Sequence, residues 1–200
     1  IYGKIRNLGD FAENAKTKTK PKHTIIYNVN KFYQKEEFIA NIKADIKLFE
    51  RIAQVVKKLN LLVNDPKRKA VASKVEDIIT KKESPKRKVI IFTEYADTVS
   101  HLKDYFIDNF SGRVLCCNGV VNKSFSETLN SNFNAKYETK NDDYDILITS
   151  DKLSEGFNLN RAGTIINYDI PWNPTRVIQR VGRINRMSAK VFDLLYIYNI

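Results

Sequence analysis

Cysteine is almost absent from this 200-residue chain: there are two, and they are adjacent, Cys116 and Cys117. A lone neighbouring pair excludes a disulfide framework and a zinc site built on spaced thiols. Buried thiols in a strand are the expected reading, which suits a reducing cytosol. No apolar run approaches the roughly 20 residues that span a bilayer. No charged segment followed by an apolar stretch opens the chain, so a cytoplasmic protein with no membrane partner is expected. The chain begins on Ile1 and ends on an apolar run, which reads as part of something longer. Its apolar fraction, 42%, is ordinary for a globular core and argues against wholesale disorder.

Charge is present in excess and unevenly placed. The net charge is +11, yet residues 91–200 hold 12 Lys and Arg against 13 Asp and Glu. The surplus lies in residues 1–90, with 22 against 10. A basic arm of this kind attracts nucleic acid or another polyanion. Solubilising lysines on exposed faces would give the same count, and charge alone does not decide between them.

The first third reads as an extension. "KTKTKPK" (16–22) looks like a basic linker and "HTIIYNV" (23–29) like a strand. From about Lys35 to Val63 the pattern is helical. Ile42, Phe49, Val56 and Val63 recur every seven residues, and Ile39, Ile46 and Ala53 fill the alternate position. Packing of this seam against the rest of the protein is expected, with a dimer zipper as the alternative. Asp65-Pro66 then starts a second helix, Asp as cap and Pro in the first turn, with Val71, Val75 and Ile78 as its buried stripe.

From Lys88 the rhythm changes. "KVIIFT" (88–93), "RVLCCNG" (113–119), "YDILITSD" (144–151), "GTIINYD" (163–169) and "FDLLYIYNI" (192–200) read as strands. Helices are expected at 96–110, 124–137 and 173–187. Strands apolar throughout, separated by helices, predict an α/β fold with a parallel sheet covered on both faces. Function in such sheets gathers at the carboxyl ends of the strands. The loops "TEY", "TSDKLSEGFN" and "YDIPWNP" fall there.

The last predicted helix carries Arg176, Arg180, Arg183 and Arg186 in one short run. Asn173 should cap it and Pro174 begin it. At 100° per residue, Val177, Val181 and Ile184 share a face about 60° wide, and Gln179, Arg183 and Arg186 share the opposite one. Gly182 lies between and would let something approach closely. Two arginines and a glutamine pointing one way suit phosphate oxygens. A merely solvated basic helix is the alternative. Trp172, the one tryptophan, could stack on a base, brace an interface or pack in the core.

"QRVGRINRM" resembles motif VI of superfamily 2 helicases, Q-R-x-G-R-x-x-R. "TSDKLSEGFNL" resembles their motif V and "KVIIFTEY" their motif IV, in the same order and spacing. "NYDIPWNPTRVIQRVGRINR" is similar to the corresponding stretch of Snf-type and RapA-type bacterial helicase-like ATPases. "PKHTIIYNV" and "DPKRKAV" resemble the segments such proteins place ahead of their second motor lobe. After motif VI, Snf-type remodellers usually carry a Gly-Gln pair. "MSAKVFDLLYIYN" stands there instead, which favours a broader bacterial helicase-like group.

The resemblance implies a second RecA-like lobe over residues 65–200, preceded by an inter-lobe linker and helix over 1–64. ATP would bind between this lobe and a first lobe absent from the sequence. Arg183 and Arg186 would be the arginine fingers. Gln179 and Arg180 would hold the motif against the nucleotide cleft and the other lobe. Gly156 would allow close approach, and Asn158 would touch the ribose or the coupling network. Thr93, Thr149 and Ser150 would meet the nucleic-acid backbone, with DNA preferred. No G-x-x-x-x-G-K-[ST] loop and no Asp-Glu metal box occur. Mg²⁺ would therefore be held by the other lobe, no metal ligand is assigned here, and the chain alone is expected to lack ATPase activity. Two alternatives stand beside this: a non-enzymatic nucleic-acid-binding module using the basic region, and a docking lobe that has lost catalysis.

Overall fold

The computed structural model describes residues 28–61, 63–119, 121–153, 156–186 and 189–200. The expected linker at 16–22 and nearly all of the expected strand at 23–29 lie outside these. The chain divides between Asn60 and Leu61 into two units.

In the first unit, helix α1 spans Lys35–Lys58, preceded by a 3-10 turn at Val29–Lys31. It stops short of the predicted Val63. Asn60 takes a positive φ of 52°, a conformation that asparagine tolerates and that ends a helix. The seven-residue seam is present, but no residue of α1 is buried. Ile42, Ile46 and Phe49 are exposed, Phe49 by 69%.

The second unit is built on five parallel strands: β1 (Lys88–Thr93), β2 (Val114–Cys117), β3 (Ile146–Ser150), β4 (Ala162–Asn167) and β5 (Tyr196–Asn199). Their order is β2-β3-β1-β4-β5. Four helices accompany them: α2 (Pro66–Ile79), α3 (Ala96–Asn109), α4 (Lys123–Phe133) and α5 (Pro174–Ile184). β1, β3 and β4 are buried along their whole length, as continuous apolar runs in a doubly covered sheet must be.

Alternation along the strands sorts the core into two clusters. Val89, Ile91, Ile146 and Ile148 meet Val71 and Val75 of α2 and Leu102 and Phe106 of α3. Ile90, Phe92, Leu147 and Ile165 meet Leu129 and Phe133 of α4 and Ile184 of α5. Cys116 packs with the first cluster and Cys117 with the second, so the adjacent thiols point to opposite faces. Burial pushes the Cys116 thiol up to about 11, with Lys103 acting the other way, which keeps it protonated and unreactive.

The amino-terminal edge of the sheet is an ionic clamp. Asp145, just before β3, accepts from Arg113 Nε (2.6 Å) and Lys86 Nζ (2.7 Å). Lys88 Nζ, at the start of β1, pairs with Asp142 (2.8 Å), which Arg161 also engages (2.6 Å). Burial raises the Asp145 carboxyl, but Arg113 and Lys86 outweigh it and hold it below the ordinary carboxylate range. Asp142 is likewise held low, burial being outweighed by Lys88 and Arg161. Depressed folded-state values mean that the unfolded chain binds more protons in acid. The stability from these pairs is complete above the unfolded value of about 3.9 and is lost as pH falls through the folded values. Urea midpoints measured from pH 7 to pH 3 should therefore fall steeply below about pH 4. Asp145→Asn should flatten that acid limb. An unchanged slope in the variant would remove the clamp from the explanation.

Candidate nucleotide and nucleic-acid face

Because the strands are parallel, their carboxyl ends share one edge. Thr93 sits opposite Ser150, and Phe92 opposite Asn167. The segments that follow them supply Glu94 after β1, Asp151 after β3 and Asp169 after β4. α5 lies against this edge. Its cap is the predicted one: Asn173 accepts from Thr175 N (2.9 Å), and Pro174 occupies the first turn.

Arg180 is the anchor of this edge. It is wholly buried, with 0% exposure. Its Nε donates to Asp151 Oδ1 at 2.6 Å. Its Nη1 donates to Asn167 Oδ1 (2.9 Å) and to the Asp169 carbonyl (3.1 Å). The guanidinium lies 5.2 Å from the Phe92 ring centroid. One guanidinium thus ties together the ends of β1, β3 and β4. The resemblance gave Arg180 the task of holding the motif against the nucleotide cleft and the other lobe; within this lobe its side chain is buried on Asp151, Asn167 and the Asp169 carbonyl. The helical wheel explains why. Arg180 falls about 60° from Val177 on the buried flank, and Asp151 supplies the counter-charge that makes burial tolerable.

The other arginines differ. Arg176 is 46% exposed and reaches Glu94 and Asp151, both at 3.4 Å. Arg183 is half-buried, its Nη1 directed at the Phe157 carbonyl (3.4 Å). α5 ends at Ile184, so Arg186 lies beyond the helix rather than on it. Its carbonyl accepts from Ala189 N (3.0 Å), and its Nε is buried with no hydrogen-bond partner in the described structure. Gln179 is half-buried beside them, and Gly182 has no atom within 4 Å of where a Cβ would stand. Val177 and Val181 are half-buried and Ile184 is buried, as the apolar face requires.

Gly156 has φ +83° and faces open space, a backbone that side chains rarely adopt. Asn158 is half-buried nearby in sequence. The three residues expected to meet nucleic acid are less accessible than the sequence suggested. Thr93 is fully buried and donates its hydroxyl to Asp169 Oδ2. Thr149 is fully buried and donates to the Ser150 carbonyl (3.0 Å). Ser150 is 5% exposed, its Oγ buried and without a partner among the described residues. A sheet covered on both faces buries the two sides of each strand end alike.

Trp172 is the opposite case. At 98% exposure it packs against no core. Tyr95 after β1, Ile170 after β4 and Ile178 on α5 are exposed as well, by 61%, 57% and 70%. Apolar side chains this open at the functional end of a sheet point to a surface meant to be covered.

Sequence reasoning missed Asp151, Asp169 and Asn160. Asn160 is 1% exposed; it accepts from Ala135 N (2.9 Å) and donates to the Ala189 carbonyl (2.6 Å), fixing the loop that carries Arg186. Carboxylates directly after strand ends were a readable signal for the first two. Nothing in the local pattern singled out Asn160. Among the described residues, no three His, Cys, Asp or Glu come together as a metal site, and no helix is long and apolar enough to cross a membrane.

Comparison with known proteins agrees with this geometry. Residues 70–188 match the helicase conserved C-terminal domain. The chain is 30% identical over 151 residues to the uncharacterized ATP-dependent helicase YqhH of Bacillus subtilis, covering 76% of this chain and 24% of that protein. It therefore spans about a quarter of the length of that relative. The fold matches the C-terminal part of the Fun30 ATPase domain with a TM-score of 0.54 and 22% identity, over 66% of this chain and 39% of that one. It also matches domain 2 of the Mss116p DEAD-box helicase, solved bound to an RNA duplex, with a TM-score of 0.53 and 17% identity, over 68% and 50%. The sheet is the RecA-like one expected. The chain belongs to the helicase conserved C-terminal domain family, and its fold is the RecA-like one of superfamily 2 helicase C-terminal lobes.

Proposed function

We propose that this lobe is half of a nucleic-acid-dependent ATP motor, closing on ATP held by a first RecA-like lobe of the same protein. The observation that carries the reading is the division of labour among the motif VI arginines. Arg180 is consumed in fixing the edge, while Arg183 at the last turn of α5 and Arg186 just beyond it remain for the nucleotide. The buried Arg186 Nε with no partner fits a phosphate oxygen as its acceptor. ATP supplies the phosphoryl group to be transferred, and Mg²⁺ would be carried by the first lobe. This chain's part is to place permanent positive charge where negative charge develops, and to keep it there without reorganisation. Gln179, Gly182, Gly156 and Asn158 would line the nucleotide side. Thr93, Thr149 and Ser150 would shape the nucleic-acid side through the backbone they hold rather than through free hydroxyls. Such a motor would work in the cytoplasm, with DNA the preferred polymer.

Trp172 would cover a base or ribose of that polymer. Trp172→Ala should leave stability within about 0.5 kcal/mol, since the ring touches no core. It should weaken nucleic-acid binding by about 1–3 kcal/mol, the range for one lost stacking contact. Equal affinity in a titration of wild type and variant would assign Trp172 to something else.

A basic module that only binds polyanions remains the competing reading, because residues 1–90 carry the charge surplus. The two separate on nucleotide linkage. In a motor, affinity for duplex DNA, single strands or RNA changes between a non-hydrolysable ATP analogue and ADP. A simple basic module gives affinities that fall with salt and ignore the nucleotide. Titrating the full-length protein under both nucleotides decides between them, and nucleotide-indifferent binding would reject the motor.

A further inference from the structure

The exposed seam of α1 has an unusual charge pattern along one border. Its core positions are Ile39, Ile46 and Ala53 in one row and Ile42, Phe49 and Val56 in the other. The flanking row on the C-terminal side of the second set reads Glu36, Lys43, Glu50, Lys57, with the sign alternating every heptad. We propose that α1 is a self-association element, pairing with α1 of a second copy of this chain as an antiparallel two-stranded coiled coil.

Antiparallel pairing sets the two core rows against each other. Ile39 meets Val56 of the second copy, Ile46 meets Phe49, and Ala53 meets Ile42. That register fixes the border. Glu36 faces Lys57 and Lys43 faces Glu50, so every charge in the row meets its opposite, and each pair occurs twice by symmetry. Parallel pairing has no such match: it sets Asp45 of one helix beside Glu50 of the other. Acidic residues in the first turn and basic ones in the last reinforce the antiparallel choice, since each helix end meets the oppositely charged end of its neighbour. The helix has 24 residues, about 36 Å, enough for three heptads. The other border adds Phe38 against Leu59, both exposed in the single chain. This pairing uses none of the residues at the sheet edge and does not depend on the nucleotide chemistry.

Sedimentation equilibrium on the 200-residue chain and on the full-length protein tests it. Both should form a dimer. Phe49→Asp should give monomers with unchanged helical circular dichroism, since Phe49 is 69% exposed and supports no core. Glu50→Lys turns two attractive pairs per dimer repulsive and should weaken association about tenfold at low salt. Adding Lys43→Glu to Glu50→Lys should restore it. A monomer in either form of the wild-type protein overturns the proposal. Tighter association of Glu50→Lys also overturns it, because only a parallel pair gains by meeting Asp45 with lysine.

Discussion

Replacing Arg180 by alanine should cost the lobe about 3–5 kcal/mol, the range for breaking a buried, hydrogen-bonded ion pair from one side. The side chain has no exposure, and its guanidinium bonds Asp151, Asn167 and the Asp169 carbonyl while lying near the face of Phe92. Alanine would take from Asp151 its 2.6 Å charge-assisted hydrogen bond and open a cavity at the meeting point of three strand ends. Arg180→Lys should rescue little, because a single ammonium cannot reach acceptors arranged for a planar fork. Arg176→Ala is the control: half-exposed with two 3.4 Å contacts, it should cost under about 1 kcal/mol. Urea unfolding of the 200-residue chain measures all three. A loss for Arg180→Ala no larger than for Arg176→Ala would show that the buried pair does not hold this edge together.

In the full-length protein, Arg186→Ala should lower kcat for ATP hydrolysis by about 10³–10⁵-fold, the usual loss when an arginine finger is removed. Stability should change little, because Arg186 lies beyond α5 and its Nε has no hydrogen-bond partner among the described residues. Nucleotide affinity should be largely kept, since the finger acts where charge develops rather than on the bound ground state. Arg183→Ala should also lower kcat, with some cost to the lobe because Arg183 contacts the Phe157 carbonyl. The pattern that separates the two arginine roles is therefore simple. Arg180 variants fail by unfolding, and Arg186 variants stay folded and fail in chemistry. Loss of stability without loss of turnover for Arg186→Ala would reverse that assignment.

The sheet and its helices were legible because a doubly covered parallel sheet writes continuous apolar runs into its strands, and caps such as Asp65-Pro66 and Asn173-Pro174 mark helix starts without ambiguity. Asp65 does accept from the Lys67 and Arg68 amides, as its position implied. Helix ends were less readable. α1 stops at a positive-φ asparagine, and α5 stops two residues before Arg186, both decided by backbone turns that periodicity does not encode. The site was legible as a set of motifs but not as a set of roles. The helical wheel puts Arg180 on the buried flank, but its counter-charge, Asp151, comes from another strand end and leaves no signal in the helix itself. Thr93, Thr149 and Ser150 were read as contacts to a nucleic-acid backbone, and their side chains are buried because the sheet is covered on both faces. Partners across strands, such as Asn160 with Ala189, carry no local signature at all.

ATP hydrolysis by the full-length protein, alone and with duplex DNA, single-stranded DNA or RNA, tests the central claim most directly. Turnover that at least one polymer stimulates is expected, and the stimulating polymer names the track. Absence of hydrolysis with every polymer, in a protein that binds them, would contradict it and leave this lobe as a binding element rather than half of a motor.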